Sequence, residues 1–444
     1  MKQQFALILN SDLAINKGFS LDELVHEAKA LFETEGIPGF LRIILLMVDQ
    51  VLVGHHKDRV DGTCCENPIY RVNRREEKSI HTSCGKLKVN WTRMRCESCK
   101  KTIMPLRSYL GLDSHQRKTN ELERIVTEVV SEQSYRRSSQ HLEAIGSIPI
   151  PHTTLHRWVM KSDCDELDMK KRVDTLVADG TGYKKHPQLD PWGQKEVRLV
   201  VGVTKDGKVT PYGAWTNESW RAIGNQIKQA NHPSSKLYFK PVAGMLVSDG
   251  EEGLIRGLKK LTKEQQRCHW HMPRDLYQSM RIQDGASLEE TRTAQKNLAG
   301  IIELQLPKED FKTVSSQERL ELEKAAWQAE KSLQKFIDDL IDRGYRQAAK
   351  YILNAKAKMF SYVRMWLQTG LANPRVSSMI ERMMREIGRR IKKIGFNWGP
   401  EGAAKMTRII VKRITSANEW DQHWKKKLNF RGTVKLSFEG CVPM

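Results

Sequence analysis

The chain of 444 residues has no long uninterrupted apolar run. The longest is Ile43–Val48, or Leu41–Val48 if Arg42 is passed over, and a bilayer span needs about 20 residues. No membrane segment is expected. Met1–Asn10 carries one Lys and the short apolar run Phe5–Leu9, without a signal-peptide core or cleavage site. No internal repeat or low-complexity tract is evident. Cysteine is scarce, at eight residues, and does not form the even framework of a small secreted domain. Five cysteines fall within Cys64–Cys99, while Cys164, Cys268 and Cys441 are scattered. In a reducing cytosol that clustering favours a metal over disulfides. Acidic residues are outnumbered, with Asp plus Glu at 53 against Lys plus Arg at 74, a net charge of +21. Hydrophobic residues, at 39%, are too many for a wholly disordered chain. The expectation is a soluble, unexported, cytoplasmic protein of two to four domains with an anionic partner.

The positive charge is concentrated. Residues 71–118 hold 13 Lys/Arg against 4 Asp/Glu, and residues 373–444 hold 16 against 6. Two such blocks imply two surfaces for a polyanion, and binding that releases counterions from phosphates weakens steeply with salt. A solvated helix face with i,i+4 charges would give a similar block without a partner.

Periodicity divides the chain. Residues 1–55 read as a helical arm, a candidate for oligomerisation, with Ser20 and Glu23 forming a capping box. Residues 56–115 read as short strands and turns around the cysteines. Residues 116–165 read as a helix-turn-helix, with helices over Glu121–Val130, Tyr135–Ile145 and His152–Met160 and a cap at Thr153. Thr154, His156 and Arg157 on the last helix are candidate base-contacting residues. Residues 166–274 change to a strand period. Strands are expected over Val173–Ala178, Glu196–Thr204, Lys208–Trp215, Val242–Val247 and Gln266–Trp270, with helices over Glu218–Ala230 and Glu251–Leu261. A three-strand meander, then helix, strand, helix, strand, is the order of an RNase H-like sheet. Residues 275–372 read as all-helical, with long stretches at Glu318–Leu340 and Arg346–Gln368. Residues 373–415 return to the sheet domain with a helix over Ser377–Ile394, and 416–444 form a basic tail. The fold class is therefore α+β multidomain: a zinc-ribbon-like and helix-turn-helix N-terminal region, then an RNase H-like domain interrupted by an all-α insertion.

Asp179 and Asp249 each follow an apolar β-run and precede glycine. Carboxylates at the C-terminal ends of adjacent strands point into one crevice. Held together they call for a cation such as Mg²⁺, and two metals about 4 Å apart serve phosphoryl transfer. An Asp-Gly pair is also a common turn, as Asp206-Gly207 is here. Cys96-x-x-Cys99 has zinc-knuckle spacing and needs a second pair of ligands. Cys64 and Cys65 are adjacent and lack a spacer, and His81 and Cys84 are alternatives. Arg93, Arg95, Lys100 and Lys101 around the knuckle are candidate phosphate contacts.

Three segments in order, Val-Ala-Asp179-Gly-Thr-Gly-Tyr183, Leu-Val-Ser-Asp249-Gly-Glu-Glu-Gly253 and Gln-Arg-Cys268-His-Trp-His271, are followed by Ser-Ser-Met-Ile-Glu381-Arg and by Asn397–Met406. Residues 60–415 thereby resemble DDE transposases of the Mutator-like clade and their bacterial insertion-sequence relatives. The signal lies in order and spacing, 70 residues from Asp to Asp and 132 from Asp to Glu. The resemblance implies that Asp179, Asp249 and Glu381 hold two catalytic Mg²⁺ or Mn²⁺ ions, with Cys268 and His271 bracing the site. It implies double-stranded DNA as partner, both element ends and target, and a homodimer or higher oligomer working on nucleoid DNA. Glu386 on the same helix is the alternative third carboxylate, and Cys268 and His271 could instead be a packed pair. Residues Cys84–Leu112 resemble transposon zinc ribbons. In some relatives with the insertion a tryptophan stacks on a displaced base, which makes Trp366 a candidate; a tryptophan with Tyr362 at i,i+4 is more often a core pair. The competing functions are a catalytically inactive DNA-binding relative and an RNase H-fold nuclease.

Overall fold

The computed structural model describes residues 20–58, 64–65, 68–186, 196–232, 240–394 and 397–428. These divide into two compact units: residues 1–130 with 135–159, and residues 131–134 with 160–444.

The first unit opens with the helix Leu21–Leu31. Ser20 caps it, Oγ accepting from the Glu23 N–H at 3.1 Å while Glu23 accepts from the Ser20 N–H at 2.7 Å. A single π turn, Phe32–Gly36, leads into the helix Ile37–Asp58. That helix departs from the expectation drawn from unbroken runs. Its stretch Ile37–Lys57 is long and apolar enough to cross a membrane, because isolated polar residues interrupt the run without lowering its overall hydropathy much. Its Leu41, Leu45, Val48 and Leu52, at helical spacing, pack on a core of Ile80, Leu87, Val89 and Trp91 from a sheet and Leu106 from a short helix. Asp49 on the same helix is buried and accepts from both the N–H (3.2 Å) and the hydroxyl (2.6 Å) of Thr92.

That sheet is not the set of short strands expected. It is one long antiparallel hairpin, β1 (Tyr70–Thr82) and β2 (Gly85–Cys96), with the two-residue β3 (Thr102–Ile103) on its edge. In β2 the inward Leu87, Val89 and Trp91 alternate with Lys86, Lys88 and Asn90. Gly85, at φ +98°, makes the hairpin turn. A short helix, Pro105–Tyr109, is followed by three longer ones, Asn120–Glu132, Tyr135–Gly146 and His152–Lys161. The last begins one residue before the expected Thr153 cap. The Tyr135 and His156 rings meet edge to face at 5.2 Å, tying the second of the longer helices to the third.

The second unit is built on a five-stranded sheet. Its strands are β4 (Thr175–Gly182), β5 (Glu196–Val203), β6 (Val209–Thr216), β7 (Ala243–Ser248) and β8 (Thr262–Arg267), in spatial order β6-β5-β4-β7-β8. The first three form an antiparallel meander, and β4, β7 and β8 run parallel. Leu176, Val200, Tyr212 and Leu246 pack with Trp220, Ile223 and Ile227 of the helix Trp220–Asn231 and with Leu254 and Leu258 of the helix Glu252–Leu258. β5 is buried along nearly its whole length, as a strand covered on both faces must be. The helix Pro400–Thr415 packs against β6 and β5. Strand β8 lies four residues earlier than the expected Gln266–Trp270. Between β8 and the helix Ser378–Gly388, residues 275–372 contain no strand; Leu288–Ile302, Ser316–Asp342, Arg346–Lys356 and Ser361–Thr369 are its main helices. The expected single helix Arg346–Gln368 breaks at 357–360. The expected tail at 416 begins as a helix, Ala417–Leu428, that buries Trp420 and Trp424. The rest of the tail, like the first 19 residues of the arm, lies outside the described residues. The architecture is α+β, with one mixed sheet and one small antiparallel sheet.

Candidate active site and cysteine cluster

Strands β4 and β7 pair in parallel with Thr175 opposite Met245 and Val177 opposite Val247. The same offset of 70 carries Asp179 to Asp249. Asp179 lies inside β4 rather than in a turn, its Oδ1 accepting from the Gly180 N–H at 2.7 Å. A Cβ on Gly180 would meet Glu196 Oε1 at 2.0 Å, so a side chain after Asp179 would have to displace the Glu196 carboxylate. Asp249 follows β7 directly, in a tight bend. Gly250 takes φ +96°, and Asp249 Oδ1 accepts from the Glu251 N–H at 2.9 Å.

Glu381 comes from the helix Ser378–Gly388. Donor atoms of Asp179, His271 and Glu381 lie within 4.8 Å of one another, with Asp249 outside that group. The structure thus brings Glu381, and not Glu386, to Asp179; Glu386 pairs with Arg389 at 3.2 Å. Burial pushes the Asp179 carboxyl up to about 7, against the Gly180 N–H and with the charges of Asp249 and Glu381. Burial also raises Glu381, opposed by Arg274 and reinforced by Asp249.

Cys268 and His271 form the frame. The Cys268 N–H donates to Ser248 O at the end of β7 (2.9 Å), and its sulfur accepts from the Ser377 N–H (3.2 Å) and lies 3.1 Å from Ser377 Oγ. His271 Nδ1 is 3.4 Å from the same Oγ, and its Nε2 is 3.1 Å from Glu381 Oε1. Both motif residues meet at Ser377, directly before the Glu381 helix, and so pin that helix to the end of β7. Ser377 is the shared partner that the sequence left unassigned. A cavity of about 440 Å³ opens beside this frame, lined by Trp270, Ser378, Glu381, Met384 and Arg385.

Trp366 is not in this cavity, which corrects its assignment as a DNA-stacking residue. It is 2% exposed, with the Phe311 ring edge-on at 5.1 Å, so it is packed in the core and presents no open face to a base. The exposed indole at the site is Trp270, at 49%.

The sulfurs of Cys64, Cys65, Cys96 and Cys99 lie within 4.8 Å of one another. Neighbouring S···S distances are 3.4 Å (Cys99–Cys64), 3.7 Å (Cys65–Cys96) and 3.8 Å (Cys64–Cys65). A tetrahedron with Zn–S of about 2.3 Å has edges of about 3.8 Å, so the four thiols are spaced as zinc ligands are. His81 and Cys84 sit at the other end of the hairpin, since Tyr70 faces Cys96 while His81 faces Lys86. The Cys99 N–H draws the Cys96 thiol down to about 6, and partial burial with the surrounding sulfurs pushes Cys65 up to about 12. Four thiols this close shed their protons together only around a cation.

Of the candidate DNA contacts, His156, Arg157, Arg95, Lys100 and Lys101 are exposed and Thr154 is half-buried. Arg93 instead pairs with Glu76 at 3.0 Å. No protein family model matches the chain, and no curated protein matches it.

Proposed function

We propose that this chain is a DDE transposase resembling the Mutator-like clade, with an RNase H-like catalytic domain interrupted by a helical insertion. The observation that carries the reading is that Asp179 in β4 and Asp249 just after β7 share the offset of these adjacent parallel strands, with Glu381 brought beside Asp179 by a helix 132 residues beyond Asp249. Asp179, Asp249 and Glu381 would hold divalent cations, which when bound would activate an attacking oxygen and steady the leaving one. The chain's own groups do the rest. Ser377, held by Cys268 and His271, fixes the third carboxylate. The Arg274 charge offsets the crowded carboxylates. Arg95, Lys100, Lys101, His156 and Arg157 would bind the ends of the element through phosphates and base edges. Zinc on the four cysteines would fix the open end of the hairpin that carries part of this basic surface. The protein would work as an oligomer on the DNA of its own cell.

The deciding test offers the purified chain duplexes bearing the inverted repeats that flank its gene, with Mg²⁺ or Mn²⁺. Metal-dependent nicking at the repeat ends followed by joining to target DNA is the expected result. End binding without cleavage would indicate the non-catalytic relative, and cleavage without joining a nuclease.

Two further outcomes are expected. The metal-free Asp179 carboxyl should hold its proton below about pH 7. Its folded pKa is raised above the ordinary value of 3.8, so its contribution to stability is greatest at low pH and is lost as pH rises towards 7. Cation binding requires the carboxylate, so calorimetry in buffers of different ionisation enthalpy should show about one proton released per site at pH 6 and almost none at pH 8. Elemental analysis of the full chain should find about one zinc, lost in Cys96→Ser and Cys99→Ser. A zinc-free, folded wild type would make these cysteines packing residues.

A further inference from the structure

The glycines around Asp249 outnumber what its turn needs. Only Gly250 takes a positive φ there, yet Gly253 and Gly257 follow at i,i+4 spacing and Gly224 stands four residues after Trp220. A Cβ on Gly224 would meet Gly257 O at 2.3 Å, and one on Gly257 would meet the Trp220 carbonyl carbon at 2.4 Å. The helices Trp220–Asn231 and Glu252–Leu258 therefore touch backbone to backbone, and that contact seats the Trp220 indole beside Glu251.

The indole is 2% exposed, and its Nε1–H faces both carboxylate oxygens of Glu251, at 3.1 and 3.0 Å. The Arg198 guanidinium lies over the ring at 5.1 Å, itself held by Glu196 (2.9 Å) and by Glu218 O (2.6 Å). The Glu251 backbone N–H is in turn the donor to Asp249 Oδ1. A buried indole N–H on a carboxylate is a charge-assisted bond with one geometry, so it fixes where residue 251 can sit.

We infer that Trp220 is a positioning residue which, through Glu251, sets the orientation of the Asp249 carboxylate towards a divalent cation. The inference rests on the metal-site reading above. It assigns Gly224, Gly257 and the tryptophan one purpose: holding the loop after β7 to a helix already fixed on the sheet core.

The test is Mn²⁺ binding to the full chain, followed by electron paramagnetic resonance, with no substrate and no turnover. Trp220→Phe keeps an aromatic ring and removes the N–H. It should weaken Mn²⁺ binding about tenfold, which is about 1.4 kcal/mol. Glu251→Ala should weaken it at least as much, and adding Trp220→Phe to Glu251→Ala should change nothing further. Additive losses would overturn the inference, because a general packing defect persists whatever stands at 251. So would a Trp220→Phe protein that binds Mn²⁺ like the wild type. If Trp220→Phe does not fold, Glu251→Gln decides: it keeps an acceptor for the indole and should stay within about threefold of wild type while Glu251→Ala does not. Equal loss in both would leave charge alone as the cause and overturn the relay. Wild-type Mn²⁺ binding unaffected by Asp249→Ala would overturn the metal-site reading itself, and the relay with it.

Discussion

Asp179→Ala and Asp249→Ala should each abolish strand cleavage, by several orders of magnitude in rate, while specific binding to element ends survives. The two carboxylates come from neighbouring parallel strands at a common offset, Asp179 within β4 and Asp249 directly after β7, and neither can be replaced from the other strand. Groups that act as one unit lose nearly everything at the first removal, so the double variant should be little worse than either single one. The exposed Arg95, Lys100, Lys101 and Arg157 are untouched by either change, which is why binding should persist. Stability should move the other way for Asp179. At pH 8 without metal its carboxylate is ionised against a pKa of about 7, raised first by burial. Alanine relieves that cost, so the metal-free Asp179→Ala protein should melt above wild type at pH 8 and lose the advantage as pH falls below the ordinary value of 3.8. Gel assays of end cleavage, mobility shifts on end DNA and melting curves at both ends of that pH range together check this. Parallel loss of binding and cleavage would assign the aspartates a structural role.

The parts of this site that were legible in the sequence share a cause. β4, β5 and β7 are apolar runs buried on both faces, so their residues announce themselves, and the aspartates follow directly in sequence. Elsewhere in the chain the Ser20 cap was legible too, with Glu23 three residues on, a signal confined to four residues. What escaped depends on residues far apart or on polar edges. β8 is Thr-Lys-Glu-Gln-Gln-Arg at the edge of the sheet, with nothing for a hydrophobic pattern to catch. β1 carries an exposed charged stretch from Arg71 to Arg75, held extended by its pairing with β2 rather than by burial. The Cys64-Cys65 pair has no spacer, so only the hairpin register, with Tyr70 opposite Cys96, shows that it joins the knuckle rather than His81 or Cys84. Trp220 and Glu251 are 31 residues apart, and their contact exists only once two helices touch at glycines.

Trp366→Ala should be among the most destabilising single changes in the second unit and should not be rescued by any alteration of the DNA. The indole lies on Ser361–Thr369 at 2% exposure, one turn beyond Tyr362, whose hydroxyl donates to Leu304 O at 2.6 Å. Phe311 meets it edge-on at 5.1 Å and is itself packed under Gly370, where a Cβ would lie 2.6 Å from the Phe311 ring. Gly370 has φ +72° and closes the helix in the left-handed conformation, so this corner has no slack to take up lost volume. Truncating a buried tryptophan to alanine costs about 3–5 kcal/mol, transfer and cavity together. For a unit of this size that lowers the melting temperature by about 5–8 °C. The loss of activity should follow the loss of folded protein, and pre-opened or mismatched ends should be cleaved no better than duplex ends. The opposite pattern, a variant of normal melting temperature that cleaves duplex ends poorly and mismatched ends well, would mean that the indole leaves its seat against Phe311 when DNA binds. Opening that seat would forfeit a buried aromatic pair for a base stack worth about 1–3 kcal/mol, less than the burial it replaces, so the buried position should prevail in the complex as well.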